Sequence, residues 1–220
     1  MDVWQLLGNS IGPLFLGAVA GTIPLTLLSF VLGFALAVLV ALARLSNVRA
    51  LRWLARGYVS IIRGTPLLVQ LFIIFYALPL VGVIIDPFPS AVIAFSLNVG
   101  GYASETIRAA ILAIPRGQWE AATTIGMGYQ LTLRRVVLPQ AMRVAVPPLS
   151  NTFISLVKDT SLASTVMVTE LLRRAQEIAA PSYQFLALYS LAAAIYWVIC
   201  SVLSFGQGRL ENYLGRYVTV

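Results

Sequence analysis

Residues 115–143 read PRGQWEAATTIGMGYQLTLRRVVLPQAMR, a polar segment between strongly apolar stretches. Glu120-Ala121-Ala122 is predicted to lie in the first turns of a short helix, because the helix dipole stabilises a carboxylate near the N-terminus. Gly126 or Gly128 is expected to end that helix, since glycine readily takes the left-handed conformation of a C-terminal cap. The segment therefore opens with a helix that is too short to cross a membrane.

A second short helix is predicted over residues 129–138. Pro139 is expected to end it, because proline lacks the backbone N–H that the helix needs. Two short helices joined by glycine make a protruding connection, and small alanines on such a helix suit close docking into a groove of another protein. On these residues alone, a plain connector is an equally good interpretation.

The rest of the chain predicts a membrane protein. Of its 220 residues, 59% are hydrophobic and 10% are charged, whereas about one quarter of a soluble domain is charged. Uncharged runs occupy residues 3–43, 64–85, 87–104, 144–157 and 178–208. About 20 apolar residues cross the hydrocarbon core as a helix. The predicted fold class is therefore an all-α membrane protein with five transmembrane helices.

The five spans are predicted at residues 14–43, 66–83, 90–112, 147–168 and 183–205. Residues 1–13 are too weakly apolar to span and are expected to lie outside, in the interface, as a short helix. Residues 44–63 are expected to form a basic loop. Residues 14–220 would then be one transmembrane domain, with the polar segment 115–143 between spans three and four.

The distribution of arginine predicts the orientation. The connections after spans one and three and the C-terminal tail, which includes Arg216, are rich in arginine, whereas the other connections carry none or are balanced by acids. Positively charged connections stay in the cytoplasm. We therefore expect a multi-pass protein of the plasma (inner) membrane, with its N-terminus outside and its C-terminus in the cytoplasm. This topology explains the net charge of +7 without nucleic acid.

The sequence lacks the residues of common catalytic and metal sites. It has no histidine and one cysteine, Cys200, which excludes a zinc site built on these residues and a Ser–His–Asp triad. Its only lysine, Lys158, lies between Val157 and Asp159 and not in the Gly-Lys-Ser/Thr context of a P-loop. No catalytic residue, metal ligand or nucleotide cofactor is therefore expected in this chain.

The spacing inside the polar segment carries a family resemblance. Glu120-Ala121-Ala122 is followed after three residues by Gly126, and after nine more by Val136-Val137-Leu138-Pro139. This pattern resembles the EAA loop of permeases in ATP-binding-cassette (ABC) importers, with Val136 where isoleucine is usual. Residues 63–70 (RGTPLLVQ), 158–162 (KDTSL) and 170–177 (ELLRRAQE) resemble segments of the polar amino acid subfamily.

The resemblance implies a type I ABC importer permease fold that translocates a polar amino acid by alternating access. It also implies a second permease protomer, identical or similar, and an extracytoplasmic solute-binding protein. Two ABC ATPase subunits would bind ATP and Mg on the cytoplasmic side, and the loop helix would be the coupling helix that transmits their movement. The residues implied for coupling are Glu120, Ala121, Ala122, Gly126, Leu138 and Pro139.

Ionisable residues inside the spans are candidates for function, because each costs at least about 2.5–3.5 kcal/mol at the membrane centre. Lys158 and Asp159 are neighbours that point about 100° apart on a helix, so they do not face each other. A partner would come from another span, the second protomer or a zwitterionic substrate, and substrate binding and structural bracing both stay open. For Glu105 and Arg108, a local ion pair is favoured over a gate.

Uncharged polar residues would line the same path as Lys158 and Asp159. The helical rise places Asn98 and Lys158 near the membrane midplane. For any one polar residue taken singly, a hydrogen bond between helices is the favoured explanation. The candidates for the path are Asn98, Tyr102, Thr152 and Ser155.

The connection after span four carries charges of both signs. It would dock the solute-binding protein, or it would be a solvated helix face with pairs at i,i+4 spacing, and the two interpretations are equally good. The residues concerned are Glu170, Arg173, Arg174 and Glu177.

Two other functions are weighed against the importer. An ion-coupled secondary transporter of small polar solutes often shows internal repeats, and no repeat is visible between the halves of this chain. A membrane scaffold would need no solute path. Neither function accounts for the spaced pattern from Glu120 to Pro139. The residues do not indicate which amino acid is carried or whether the two permease protomers are identical.

Overall fold

The computed structural model describes residues 2–215, which form helices joined by short connections. The helices are α1 Val3–Leu45, α2 Arg49–Gly64, α3 Leu67–Val81, α4 Pro87–Leu112, α5 Arg116–Thr124, α6 at residues 129–159, α7 Leu171–Ser182 and α8 Phe185–Gly215. A 3-10 segment, Thr160–Val166, follows α6. There is no strand among residues 2–215, and the predicted all-α class is confirmed.

Three of the long helices contain a widened turn of the π type, and a proline follows each turn by two residues. The turns are Ala18–Thr22 in α1, Ile73–Ala77 in α3 and Leu133–Val137 in α6, and the prolines are Pro24, Pro79 and Pro139. In a regular helix the proline ring collides with the carbonyl group four residues earlier. In each case here that carbonyl belongs to the π turn, where wider spacing relieves the collision.

The expectation that Pro139 ends a short helix is therefore wrong. Residues 129–138 are the first turns of α6, which continues through Pro139, Pro147 and Pro148 to Asp159. The π turn accommodates Pro139, and the side-chain amide of Gln207 on α8 donates to the Pro147 carbonyl oxygen at 3.5 Å. The fourth long helix begins well before the predicted residue 147, and residue 143 is not a boundary.

Two segments outside the predicted spans differ from expectation. The basic stretch 44–63 contains α2 where a loop was expected, and the axes of α2 and α3 differ by 107°. The N-terminal residues, expected to form a separate helix, are continuous with α1, which has 43 residues from Val3. The location of residues 1–13 in the outer interface remains a prediction.

Length and composition identify α1 and α8 as able to cross a membrane in the described part of the chain. The bent pair of α2 and α3 is a third candidate span. Helix α4 has 26 residues, and its length of about 39 Å also suffices to cross the hydrocarbon core. The total of five spans stays a prediction.

Helix α4 lies at the centre of the fold. Phe95 and Val99 are buried in a core that α4 shares with α1, α3 and α6. Gly33 allows α1 to approach closely, because a Cβ atom there would lie 2.6 Å from the Cβ of Val99. A second core joins the start of α1 to α7 and α8 through Leu14 and Leu171. This packing fixes the helices that carry the candidate site.

Gly21, in the first π turn, touches the backbone before α7. A Cβ atom at this position would lie 2.2 Å from the carbonyl oxygen of Thr169 and 2.7 Å from the Cα of Glu170. Gly21→Ala should therefore destabilise the protein by about 1–3 kcal/mol, as overpacking does. Gly12→Ala in the same helix is the control, because nothing lies within 4 Å of its new Cβ. Thermal unfolding in detergent compares the two, and equal stability would contradict the close approach.

Candidate functional site

A cleft of about 430 Å³ lies where the break between α2 and α3 faces α4 and α6. Small-molecule sites commonly enclose about 300–1,000 Å³, so the cleft can hold a small solute. Its walls combine apolar and polar side chains. The lining residues are Thr65, Pro66, Leu67, Asn98, Val99, Tyr102, Asn151, Thr152, Ser155, Leu156 and Asp159.

The cleft contains five of the six residues predicted for the translocation path. They are Asn98 and Tyr102 on α4 and Thr152, Ser155 and Asp159 on α6. Within each helix these residues are three or four positions apart, which places them on one face. The cleft therefore brings together polar residues that are separated by about 50 positions in the sequence.

Lys158 is the predicted path residue that does not line the cleft. It faces a different cavity, whose α8 side is lined by Tyr196, Trp197 and Cys200. Within residues 2–215 its ammonium group forms no hydrogen bond or ion pair. Lys158 and Asp159 point in different directions, as expected for neighbouring residues on a helix, and a place for Lys158 on the path stays a prediction.

Gln70 fixes the break between α2 and α3. Thr65 is extended (φ −123°, ψ 147°), as the residue before a proline prefers. The side-chain nitrogen of Gln70 donates to the carbonyl oxygens of Ile62 at 2.8 Å and Thr65 at 3.1 Å. Its side-chain oxygen accepts from Asn98 at 3.3 Å. The buried amide therefore ties this wall of the cleft to α4.

A carboxylate lines the cleft, and a guanidinium group lies over one of the lining side chains. On α4, the ring of Tyr102 stacks with the guanidinium of Arg63, whose central carbon lies 5.4 Å from the ring centroid. On α6, the partly buried carboxylate of Asp159 forms no hydrogen bond or ion pair among the described residues. A cation and an unpaired carboxylate near one cavity suit a zwitterion, which carries both complementary charges.

Sequence reasoning missed three polar residues at this site, namely Thr65, Gln70 and Asn151. Gln70 and Asn151 are amide side chains inside predicted spans or helices that are otherwise apolar. The rule that selected Asn98 therefore applies to them equally. Thr65 carries a different signal, because only its position before Pro66 marks the break.

The segment that the resemblance implies for coupling, called the coupling loop below, consists of α5 and the start of α6. Helix α5 ends with Gly126 in the left-handed conformation (φ 79°), as predicted. The N–H groups of Gly126 and Met127 donate to the carbonyl oxygens of Thr123 at 2.9 Å and Ala122 at 3.0 Å. These two bonds form a Schellman cap. Stacking of Trp119 on Tyr129, with ring centroids 5.5 Å apart, fixes α5 against α6.

The six residues implied for coupling differ in exposure. Glu120, Ala121 and Gly126 are exposed, so a partner could contact them directly. Ala122 lies on the buried face of α5, so it does not form part of a docking surface. Leu138 and Pro139 lie on α6, beyond the loop itself.

Gly126 and Gly128 offer a matched test of the cap. A Cβ atom at either position meets nothing within 4 Å, but only Gly126 has a positive φ. Gly126→Ala should therefore cost about 1–2 kcal/mol of backbone strain, whereas Gly128→Ala should cost little. Proteolysis rates of the loop in detergent measure the difference. Equal cleavage of the two variants would argue against a strained cap.

Glu105 forms the predicted ion pair with Arg108 and also a second pair with Arg44. Arg44 is at the end of α1, so the cluster ties α1 to α4 close to the coupling loop. The second pair could not be read from the sequence, because the two residues are 61 positions apart. The geometry is that of a brace between helices.

Glu170 is not available to a docking protein, and its assignment as a docking residue is wrong. Its side chain is fully buried and caps α7, accepting from the N–H groups of Leu172 at 2.8 Å and Arg173 at 2.6 Å. It also accepts from the Tyr196 hydroxyl at 2.7 Å. The other three candidates remain on the surface, where Arg173 and Arg174 both pair with Glu177.

Comparisons with known proteins agree with this geometry. Residues 29–215 match the family described as "Binding-protein-dependent transport system inner membrane component". The L-cystine transport system permease protein TcyB of Bacillus subtilis (strain 168) is 62% identical over 98% of this chain and 92% of its own length. The arginine transport system permease protein ArtQ of the same organism is 37% identical over 92% of this chain and 93% of its own length.

A solved structure has the same fold. The crystal structure of an amino acid ABC transporter with histidines matches with a TM-score of 0.91 and 32% identity, over 97% of this chain and 99% of that chain. These matches confirm the predicted type I fold and the predicted role as an ABC importer permease. The chain belongs to the family of inner membrane components of binding-protein-dependent transport systems.

Proposed function

We propose that this chain is the permease subunit of an importer for L-cystine. The observation that carries the proposal is the polar cleft with the unpaired carboxylate of Asp159. The similarity to a cystine permease, at 62% identity over nearly the whole chain, supports this choice of amino acid. The cleft chemistry by itself fits amino acids in general.

Cystine consists of two amino acid groups joined by a disulfide bond. In the proposed complex, the Asp159 carboxylate accepts hydrogen bonds from an α-ammonium group. The Arg63 guanidinium, which lies over Tyr102 at 5.4 Å, binds an α-carboxylate. The apolar side chains of Leu67 and Leu156 in the cleft lie beside the disulfide. Asn98, Thr152 and Ser155 supply further polar contacts.

The proposed mechanism divides the work among subunits. Residues 14–220 form the transmembrane domain, and α5 is the coupling helix that docks on an ABC ATPase subunit through Glu120 and Ala121. That subunit binds ATP and Mg, and this chain binds neither. A second permease protomer completes the pathway, where the exposed Lys158 could find its partner. Glu105 and Arg108, with Arg44, brace the end of the path.

The proposed topology places the N-terminus outside the plasma membrane and the coupling loop in the cytoplasm. Arg173, Arg174 and Glu177 on α7 then face an extracytoplasmic solute-binding protein. The predicted cytoplasmic tail includes Arg216, which lies outside the described residues. No nucleic acid takes part.

Uptake of labelled L-cystine tests the proposal directly. The permease and its companion subunits are expressed in cells that lack their own cystine uptake. We expect uptake that unlabelled cystine suppresses more strongly than arginine or glutamine does. Uptake should stop on ATP depletion and survive dissipation of the membrane potential. Loss of uptake with the potential alone would instead support an ion-coupled transporter, and stronger competition by arginine would overturn the choice of cystine.

A further inference from the structure

Helix α2 carries three separate stripes along its surface. Residues three, four or seven positions apart lie on one helical face. The buried stripe is Ala55, Val59 and Ile62, the exposed apolar stripe is Leu54 and Ile61, and the basic stripe is Arg49, Arg52 and Arg56. Trp53, which is 75% exposed, lies between the basic and the exposed apolar stripes.

The basic stripe surrounds a cavity of about 260 Å³, lined by Arg49, Arg52, Trp53 and Arg56. Among residues 2–215 no carboxylate forms an ion pair with these arginines. The only hydrogen bond from their guanidinium groups within that part of the chain runs from Arg52 to the carbonyl oxygen of Asn47, at 3.4 Å. Three unneutralised guanidinium groups around one cavity suit a phosphate group, which their planar forks bind well.

The exposed apolar stripe indicates where this phosphate is attached. Leu54 and Ile61 are 63% and 66% exposed, on the far side of Trp53 from the basic stripe and away from the protein core. Side chains of this kind bind hydrocarbon, whereas a soluble anion would gain nothing from them. Tryptophan is enriched at the boundary between headgroups and acyl chains. The three stripes together match a helix whose first half lies in the membrane interface.

The position of α2 in the fold agrees with this location. Arg44, just before α2, contacts Glu105 on α4, and α4 leads directly into the coupling loop. The start of α2 is therefore at the same end of the protein as that loop. Further along α2, the Tyr58 hydroxyl donates to the Leu97 carbonyl oxygen at 2.6 Å, near the middle of α4. Arg49 and Arg52, at the start of α2, thus lie at the end of the protein that carries the coupling loop, and the second half of α2 runs inward.

We propose that Arg49, Arg52 and Arg56 bind the phosphate of an anionic phospholipid in the leaflet on the side of the coupling loop. The acyl chains of this lipid lie along Leu54 and Ile61. The proposal does not depend on which solute the permease carries. It assigns α2 a lipid-binding role beside its structural one.

Native mass spectrometry of the full-length permease in detergent tests the site. Arg49→Gln/Arg56→Gln removes the two arginines that form no hydrogen bond within the described residues, so the fold should survive. Each basic residue near a membrane contributes about 1 kcal/mol to anionic lipid binding, so phosphatidylglycerol affinity should fall about tenfold or more. Arg134→Gln/Arg135→Gln removes equal charge from exposed positions on α6 and is the control, with phosphatidylglycerol affinity unchanged.

Three results would overturn the proposal. The first is unchanged phosphatidylglycerol binding by the α2 double variant, and the second is an equal loss in the control. The third is unchanged lipid binding with loss of a co-purified ATPase subunit, which would assign the stripe to a protein partner. A salt titration of the unaltered protein needs no variant. Phosphatidylglycerol binding should weaken as salt rises, and phosphatidylcholine binding should not.

Discussion

Asp159→Asn should lower the uptake rate at limiting substrate concentration by about 10- to 100-fold, because hydrogen bonds to charged groups contribute about 1.5–3 kcal/mol. Asp159 is the only carboxylate among the residues that line the cleft, and within residues 2–215 its side chain forms no hydrogen bond or ion pair. Asparagine keeps the size of the side chain and removes its charge. The loss should therefore fall on substrate binding and translocation, and the amount of protein in the membrane should stay normal.

Two controls separate this effect from a general one. Asp86→Asn removes the same charge from an exposed position before α4, outside the cleft, and should leave uptake close to normal. Ser155→Ala removes an uncharged group from the cleft and should cost at most about tenfold. Normal kinetics of Asp159→Asn at normal abundance would assign Asp159 to structure and remove it from the proposed binding site.

Glu120→Arg should abolish ATP-driven uptake while the permease remains folded. The Glu120 side chain is exposed and forms no hydrogen bond or ion pair in the described part of the chain. Exposed substitutions of this kind usually change stability by less than about 0.5 kcal/mol. Like charges brought together at an interface cost several kcal/mol. If Glu120 faces a positive group of the ATPase, charge reversal should release that subunit or stop its stimulation by substrate.

The measurement compares uptake, substrate-stimulated ATPase activity and co-purification of the ATPase subunit. Gln130→Arg adds a positive charge to an exposed residue of the same loop and is the control. Glu120→Gln should lie between the unaltered protein and Glu120→Arg. Full transport by Glu120→Arg would sink the assignment of α5 as the coupling helix.

The features that sequence reasoning predicted correctly depend on local pattern. Apolar runs longer than a membrane crossing predict helices whatever their neighbours are. Gly126 could be predicted as a cap because its conformation depends on a few adjacent residues. Five of the eleven residues that line the cleft were predicted because polar residues in apolar helices are rare, and that rule selects Asn98 and Asp159 wherever the helices finally pack.

The features that it missed depend on distant parts of the chain. The burial of Glu170 follows from Tyr196, 26 residues away, and from the close approach of Gly21. The cavity that Lys158 faces depends on the position of α8, which no local pattern reports. The helix ends placed at Pro139 and Pro147 were wrong because proline ends a helix only if its neighbours cannot accommodate the ring.

The π turn before Pro139 also bears on how related permeases can differ in length. Deleting a residue from a regular helix turns everything on one side by about 100° relative to the other. A π turn already holds one residue more than a regular turn, and Pro139 is what favours that extra residue. Replacing Pro139 by another residue and deleting one residue of Leu133–Val137 would together restore a regular turn. The coupling loop would keep its orientation relative to the cleft, so evolution can shorten or lengthen the chain here without rebuilding either site.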